Sequence, residues 1–248
     1  LPSDLWVPST ANFKPAQSRL LSAGTSISLT KSWKFNAEGF IRQFFDILEY
    51  KDNAVYVTSN LNWENSVVSG TGQTNGIEIW LEKSKGRLTG WASYTYMKNN
   101  RLFKNLNNGN EFPARYDRRH NIYITALYQW NKKWSISGNW VYNSGFAYTL
   151  PIGYYPSPSG SIDPNRDIYI YGTRNNARTR DNHRLDVSVM KTVVHNNYFA
   201  SWTFGIYNVY NRLNPFYMNL GLSETGGRSL YQISLLPFIP FVSYKVGF

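Results

Sequence analysis

From residue 19 to residue 248 the hydropathy of this chain keeps returning to a period of two. That is the period of an extended strand, whose successive side chains point to opposite faces. In 183–194, Leu185, Val187, Val189 and Val193 fall on one face, and Arg184, Asp186, Ser188 and Thr192 on the other. In 198–209, Tyr198, Ala200, Trp202, Phe204 and Ile206 oppose Ser201, Thr203, Gly205 and Tyr207. In 121–130, Ile122, Ile124, Ala126, Tyr128 and Trp130 oppose Asn121, Tyr123, Thr125 and Gln129. In 134–143, Trp134, Ile136, Trp140 and Tyr142 oppose Ser135, Ser137, Asn139 and Asn143. The pattern predicts antiparallel strands over 19–30, 33–48, 76–83, 86–98, 118–130, 133–146, 182–194, 198–211 and 229–248, with a bulge in the second near Glu38–Phe40, where its phase breaks.

Soluble sandwiches alternate too, so the connections decide between architectures. Short ones at 31–34, 83–86, 131–133 and 195–197 interleave strictly with long ones near 49–75, 99–117, 147–182 and 212–228. A sandwich has no reason to sort its loops this way. An outer-membrane barrel does, with short periplasmic turns and long extracellular loops. Trp33, Trp130, Trp134 and Tyr198 flank the short turns, as an interfacial girdle would. Composition agrees, with 9 Trp, 19 Tyr and 14 Phe in a chain of 248 residues that is otherwise rich in Asn, Ser, Thr and Gly. Such a mixture suits a lipid face, aromatic girdles and a polar lumen. The fold expected is all-β, an antiparallel transmembrane β-barrel to which residues 1–248 contribute the C-terminal strands.

If the short turns are periplasmic, the last strand runs downward and Phe248 ends in the periplasm. The first strand also runs downward, which leaves residues 1–18 outside the cell. Bacterial single-chain barrels have even strand numbers, and nine is odd. No signal peptide is visible in LPSDLWVPST. Further strands are therefore expected ahead of Leu1, and 19–30 is not expected to pair with 229–248.

Five segments together resemble a TonB-dependent receptor of the Bacteroidetes type. They are GQTNGIEIWLEKSKGRLTGWASYTY at 72–96, FPARYDRRHNI at 112–122, WVYNSGFAYTLP at 140–151, NVYNRLNP at 208–215 and LLPFIPFVSYKVGF at 235–248. The resemblance implies a barrel of 22 strands around an N-terminal plug, with the contact to TonB in that plug region. It implies energised import of a scarce nutrient across the bacterial outer membrane. The alternative is a non-importing barrel, either a passive porin or a structural or assembly component. The end of the chain, with Tyr244, Val246 and the terminal Phe248 on one face, resembles the signal read by the barrel-assembly machinery. It equally suits a last girdle facing lipid.

Candidate binding residues lie in the long loops. In RYDRRH, Arg115, Asp117 and Arg119 share the inward parity. They read either as an anion clamp, since guanidinium forks bind carboxylates bidentately, or as an ion-pair network stiffening the rim. In RTRDNHR, Arg178, Arg180 and Arg184 surround Asp181. Arg178 and Arg180 are candidates for contact with lipopolysaccharide phosphates, for lining the mouth, or for local pairing. Tyr148, Tyr154, Tyr155, Tyr169 and Tyr171 stud the loop 147–182. They suit stacking on a substrate or packing of the loop on itself. A surface lipoprotein is a further candidate partner.

Enzymatic readings are poor. The three histidines, His120, His183 and His195, form no HExxH motif, and Cys is absent. No Gly-rich loop has phosphate-cradle spacing, so no metal or cofactor is expected. Asp181 with His183 is the one pair worth testing as a dyad. The formal charge of +11 raises nucleic acid as a partner. The basic residues are scattered among turns and loops, however, and the aromatics map to one sheet face and to girdles, so no nucleic-acid site is expected.

Overall fold

The computed structural model describes residues 8–52, 63–156, 167–194, 196, 198–222 and 228–248. Nine long strands form one open antiparallel sheet: β1 (Gln17–Ser28), β2 (Trp33–Tyr50), β3 (Val67–Lys83), β4 (Leu88–Leu102), β5 (His120–Gln129), β6 (Trp134–Asn143), β7 (Asn182–Val194), β8 (Phe199–Tyr207) and β9 (Ile239–Gly247). Each pairs with the next in chain order. Connections therefore fall alternately at the two ends, and all four short ones share one end, as expected. His195 and Asn197 of the fourth lie outside the described residues.

β1 and β9 are the two edges and do not pair with each other. β1 is exposed along its whole length and β9 nearly so. Their unpaired backbone groups would need partners in lipid, where no water can satisfy them.

Registers align side chains of one kind across many strands. One row runs Ile27, Phe35, Leu81, Ala92, Ile124, Trp140 and Leu185. Another runs Leu88, Tyr128, Ile136, Val189, Phe204 and Val242. The opposite face carries Gly24, Glu38, Glu78, Thr95, Asn121, Asn143 and Asn182 in one row. Val187, Ile122, Trp202 and Val246 share the parity of the apolar rows, while Arg184, Asp186, Thr203 and Asn139 share that of the polar one. The sheet is thus amphipathic from edge to edge, yet among the described residues no second layer covers its apolar face. Ile77, Ile124, Trp202, Phe204 and Val242 all remain exposed.

Most strand ends shift by a few residues from those expected, and the larger differences have physical reasons. The bulge in β2 lies between Phe44 and Ile47, where Asp46 has φ 54°, and not at Glu38–Phe40, whose pairing is unbroken. The phase break in the sequence is a change of residue type, not an inserted residue. Phe40 points to the polar face, and its ring covers Gly76, where a Cβ would lie 2.9 Å from Phe40 Cζ. β3 starts at Val67 instead of 76, because Val67–Gly76 continues the ladder with Phe40–Tyr50. The strand expected over 198–211 ends at Tyr207, where Asn208 turns the chain at φ 56°.

The strand expected over 229–248 is two elements. Arg228–Ser234 pairs in a separate two-stranded sheet with Pro215–Leu222, which lies inside what was expected to be a loop, and only Ile239–Gly247 joins the main sheet. Leu236 at φ 59° and Pro237, which has no N–H to donate, break the run. Asn208 Nδ2 donates to the Leu236 carbonyl at 3.3 Å, and Phe238 N–H donates to Asn211 Oδ1 at 2.9 Å, which fixes the break.

The buried apolar cluster lies at the long-loop end, where Val68, Phe103, Leu106 and Phe112 pack with Ile47. The chain after β4 folds back so that Phe112–Pro113 pairs with Asn100 and Arg101.

Candidate functional site

The long-loop end is built around Asp117, whose side chain is fully buried. Its Oδ1 accepts from the Asn99 N–H at 2.7 Å, and its Oδ2 from Arg119 Nε at 2.8 Å and from Arg178 Nη2. Arg178 Nη1 also donates to the carbonyls of Asp117 at 2.6 Å and Gly145 at 3.1 Å. Asp117 and Arg178 together thus join β4, the segment before β5 and both limbs of the loop between β6 and β7. Burial makes each of these charge-assisted bonds strong, and makes losing one costly. Asp117 and Arg119 stand together, as their shared parity implied. Arg115 is apart from them and exposed, lining a smaller concavity with Arg101, Phe103 and Asn175.

Arg178 belongs to this network and lies on the polar-face side. The pairing of Ala147 with Arg178 keeps the offset that pairs Asn143 with Asn182, although the ladder is interrupted between them, where the Asp181 and Thr179 side chains take the Gly145 and Phe146 N–H groups. Arg180 shares that parity and is exposed. Arg184 donates to Asp186 at 3.0 Å and stacks over Tyr207, whose hydroxyl it also contacts. Asp181 accepts from the Tyr142 hydroxyl at 2.7 Å and the Gly145 N–H at 3.0 Å, whereas His183 Nδ1 is bonded to the Tyr210 hydroxyl at 2.8 Å. The two residues considered as a dyad are therefore each held by another partner.

Asparagine amides extend the ladders where backbone pairing stops. Asn214 accepts from the His183 N–H and donates to its carbonyl, both at 3.0 Å. Asn176 does the same for Leu150, at 2.8 and 3.0 Å. Asn208, fully buried, receives the Arg212 N–H at 3.0 Å and donates to the Arg212 carbonyl at 2.9 Å, while its own N–H reaches Asp186 at 2.9 Å. The run NVYNRLNP is the turn that these amides build.

The five loop tyrosines separate. Tyr148 pairs with Ala177, and burial raises its hydroxyl pKa above the ordinary value. Tyr154 lies opposite Tyr169 in a hairpin formed by Pro151–Pro156 and Asp167–Tyr171, and stacks under Arg228 at 5.5 Å. Tyr155 is exposed. Tyr169 and Tyr171 line a cavity of 760 Å³ with Lys51, Lys104, Asn107 and Arg174. Arg174 was not foreseen. It donates to Asp52 at 3.1 Å and to the Tyr50 carbonyl at 2.9 Å, and so ties this cavity to the tip of β2. A lone arginine in a polar loop carries no periodic signal by which sequence could mark it.

Lower on the polar face lies a second cavity of 620 Å³, with Ser22, Ser26, Asn36, Ser93 and Thr95 around Glu38 and Glu78. The two glutamates are direct cross-strand partners and both are exposed. Beside them Trp80 and Trp91 stack at 4.4 Å on the same face. Like charges directly opposite destabilise a strand pair, and both carboxylates face the open side of the sheet. At the chain end, Tyr244 packs against Trp202 at 4.5 Å and Phe248 against Tyr198 at 6.4 Å, while Val246 pairs with Ala200.

Neither a family model nor a curated protein sequence matches the chain. Solved structures do. The ferric-catecholate import receptor Fiu of E. coli superimposes with a TM-score of 0.55 at 17% identity, over 98% of this chain and 30% of its own. The ferric citrate transporter FecA gives 0.58 at 13%, over 92% and 31%. The iron transporter FrpB of Neisseria meningitidis gives 0.57 at 14%, over 96% and 32%. The sheet therefore has the fold of part of an outer-membrane transporter barrel, and the chain spans about a third of the length of those proteins.

Proposed function

We propose that residues 1–248 form the C-terminal strands of a plugged barrel of the TonB-dependent receptor type, which imports an anionic nutrient complex across the bacterial outer membrane. The polar face lines the lumen, the apolar face meets lipid, and Phe248 lies on the periplasmic side. The observation that carries this reading is the exposed, directly opposed pair Glu38 and Glu78, low on the polar face near the β1 edge. In an open pore, water and salt would only screen that repulsion. A folded segment inside the lumen, presenting arginine or lysine, would relieve it.

Above the glutamates, Arg42 and Arg101 share the inward parity, and Lys51, Lys104 and Arg174 border the upper cavity. A basic vestibule suits an anionic chelate, and the proteins of similar fold include receptors and transporters of ferric catecholate, ferric citrate and ferripyoverdine. Resemblance in the sequence adds the Bacteroidetes character.

The test is uptake of labelled ferric chelates by cells carrying the full-length protein, with and without TonB. Uptake that needs TonB is the expected result, together with small-solute leakage when Glu38→Gln and Glu78→Gln are combined. Uptake that persists without TonB and without the proton-motive force would sink the reading in favour of a passive porin.

A further inference from the structure

The polar face of the sheet is not electrically uniform from edge to edge. Its carboxylates gather on β2 and β3, where Glu38 and Glu78 oppose each other and Glu82 opposes Lys34. On β6 to β9 the rows of that face differ. From the long-loop end downward they read Asn139–Asp186–Tyr207–Ile239, then Ser137–Ser188–Gly205–Phe241, then Ser135–Met190–Thr203–Ser243. Among the described residues Asp186 is the only carboxylate on this face of the four strands. It is already neutralised, because Arg184 pairs with it at 2.9 Å and the Asn208 N–H donates to it at 2.9 Å. Ser and Thr dominate the rows below it.

At the short-turn end this tract stops on cations. The Thr192 N–H bonds to the Lys133 carbonyl at 2.7 Å, which carries the β6–β7 register one step further. The last row therefore reads Lys133–Thr192–Ser201–Lys245. Its two lysines stand three strand spacings apart, about 14 Å. The Gln129 N–H bonds to the Arg87 carbonyl at 2.7 Å, which sets Arg87 on the same face just ahead of β4. All three cations are exposed, and among the described residues none has a carboxylate in ion-pair range. Lys245 lies over the Phe199 ring at 5.8 Å instead. Their parity turns them away from lipid and toward the space that the barrel encloses.

We infer that Lys133 and Lys245, helped by Arg87, are the exit cations of the import path, and that an anionic cargo crosses the barrel along the β6–β9 wall. The inference rests on the import reading proposed above. An anion is repelled by the glutamates of β2 and β3. Along β6–β9 it meets hydroxyls that can donate to it and no free carboxylate. A cluster of one sign at the far end of that wall raises the local concentration of the opposite sign, and so draws the cargo toward the periplasm. Because the ammonium groups are exposed, salt and water screen them, which suits brief holding and release rather than tight binding.

The experiment uses the full-length protein in TonB-competent cells, as wild type, Lys133→Gln/Lys245→Gln, Lys133→Arg/Lys245→Arg and the turn-tip control Lys132→Gln. Radiolabelled ferric citrate and a radiolabelled ferric catecholate are the probes. Surface binding is read on de-energised cells and uptake on energised ones, while heat-modifiable migration reports folding of the barrel. The double Gln variant should bind the imported chelate as wild type does and take it up about tenfold more slowly, the lower end of what charge focusing contributes. The Arg pair and Lys132→Gln should match wild type in both. Unchanged uptake by the double Gln variant overturns the proposal, as does an equal fall in binding and uptake. Leakage of small solutes through that variant overturns it too, since the lysines would then seat the segment that fills the lumen. A wild type that imports neither chelate removes the import reading itself. If the double Gln variant does not fold, Lys133→Gln and Lys245→Gln singly should each slow uptake about threefold with binding unchanged. No slowing in either single variant overturns the proposal.

Discussion

At the scale of single residues, the long-loop end tolerates little change at Gly145. A Cβ there would lie 1.8 Å from the Thr179 carbonyl oxygen, which is backbone and cannot move alone. The Gly145 N–H holds Asp181 and its carbonyl receives Arg178, so any shift breaks bonds on both sides. Gly145→Ala should cost about 2–3 kcal/mol, the upper range for overpacking, and is expected to leave the sheet below it intact. Faster proteolysis of the loop between β6 and β7, with unchanged heat-modifiable migration, is the measurement. Unchanged proteolysis would mean that the close approach is not a constraint on the protein.

At the scale of elements, Asp117 acts as a clamp between loops that have little apolar surface of their own. Arg119 and Arg178 are both about one-third exposed, which moderates their share, whereas the carboxylate itself is wholly buried. Asp117→Ala leaves the Asn99 N–H and two guanidiniums without an acceptor. It should destabilise the cap by about 2–4 kcal/mol, between the value of a charged hydrogen bond and that of a broken buried pair. Hydrogen exchange should quicken at Asn99, Gly145 and Thr179 and stay slow in β7 and β8. Global loss of protection would place the clamp in the folding core instead. RYDRRH was legible as a network because its spacing put Asp117 and Arg119 on one parity. The partner that completes it, Arg178, lies 61 residues away, beyond the reach of any local pattern.

At the scale of the whole molecule, facing follows from a one-residue period, and two neighbouring substitutions test it. Val187 pairs with Gly138 and Ile206 on the apolar face, and lies near the centre of the span between Trp134 and Tyr142. Ser188 pairs with Ser137 on the polar face, hydroxyl to hydroxyl at 2.7 Å. In the full-length barrel, Val187→Arg should cost about 2–4 kcal/mol as a charge at the bilayer midplane. Ser188→Arg loses one hydrogen bond and should cost about 1 kcal/mol. Equilibrium unfolding in lipid vesicles reads both. An equal or reversed order would put the lipid on the other face.

Strand number, order of connections and the sidedness of nearly every strand are local properties. Alternation and loop length write them into consecutive residues, so the sequence by itself determined an antiparallel sheet with one greasy and one polar face. What failed was also local in appearance. Phe40 on the polar face looked like a bulge because hydropathy cannot tell a ring filling space over a glycine from a slipped register. VVSGTGQTN looked like a loop because its partner strand, not its own propensity, holds it extended. Arg228–Ser234 looked like part of the last strand until the left-handed Leu236 and the amides of Asn208 and Asn211 separated them. The meeting of Glu38 with Glu78 and of Asp117 with Arg178 was decided by tertiary structure alone. Register between strands is set by pairing across the whole sheet, and it brings together charges that no window of sequence contains.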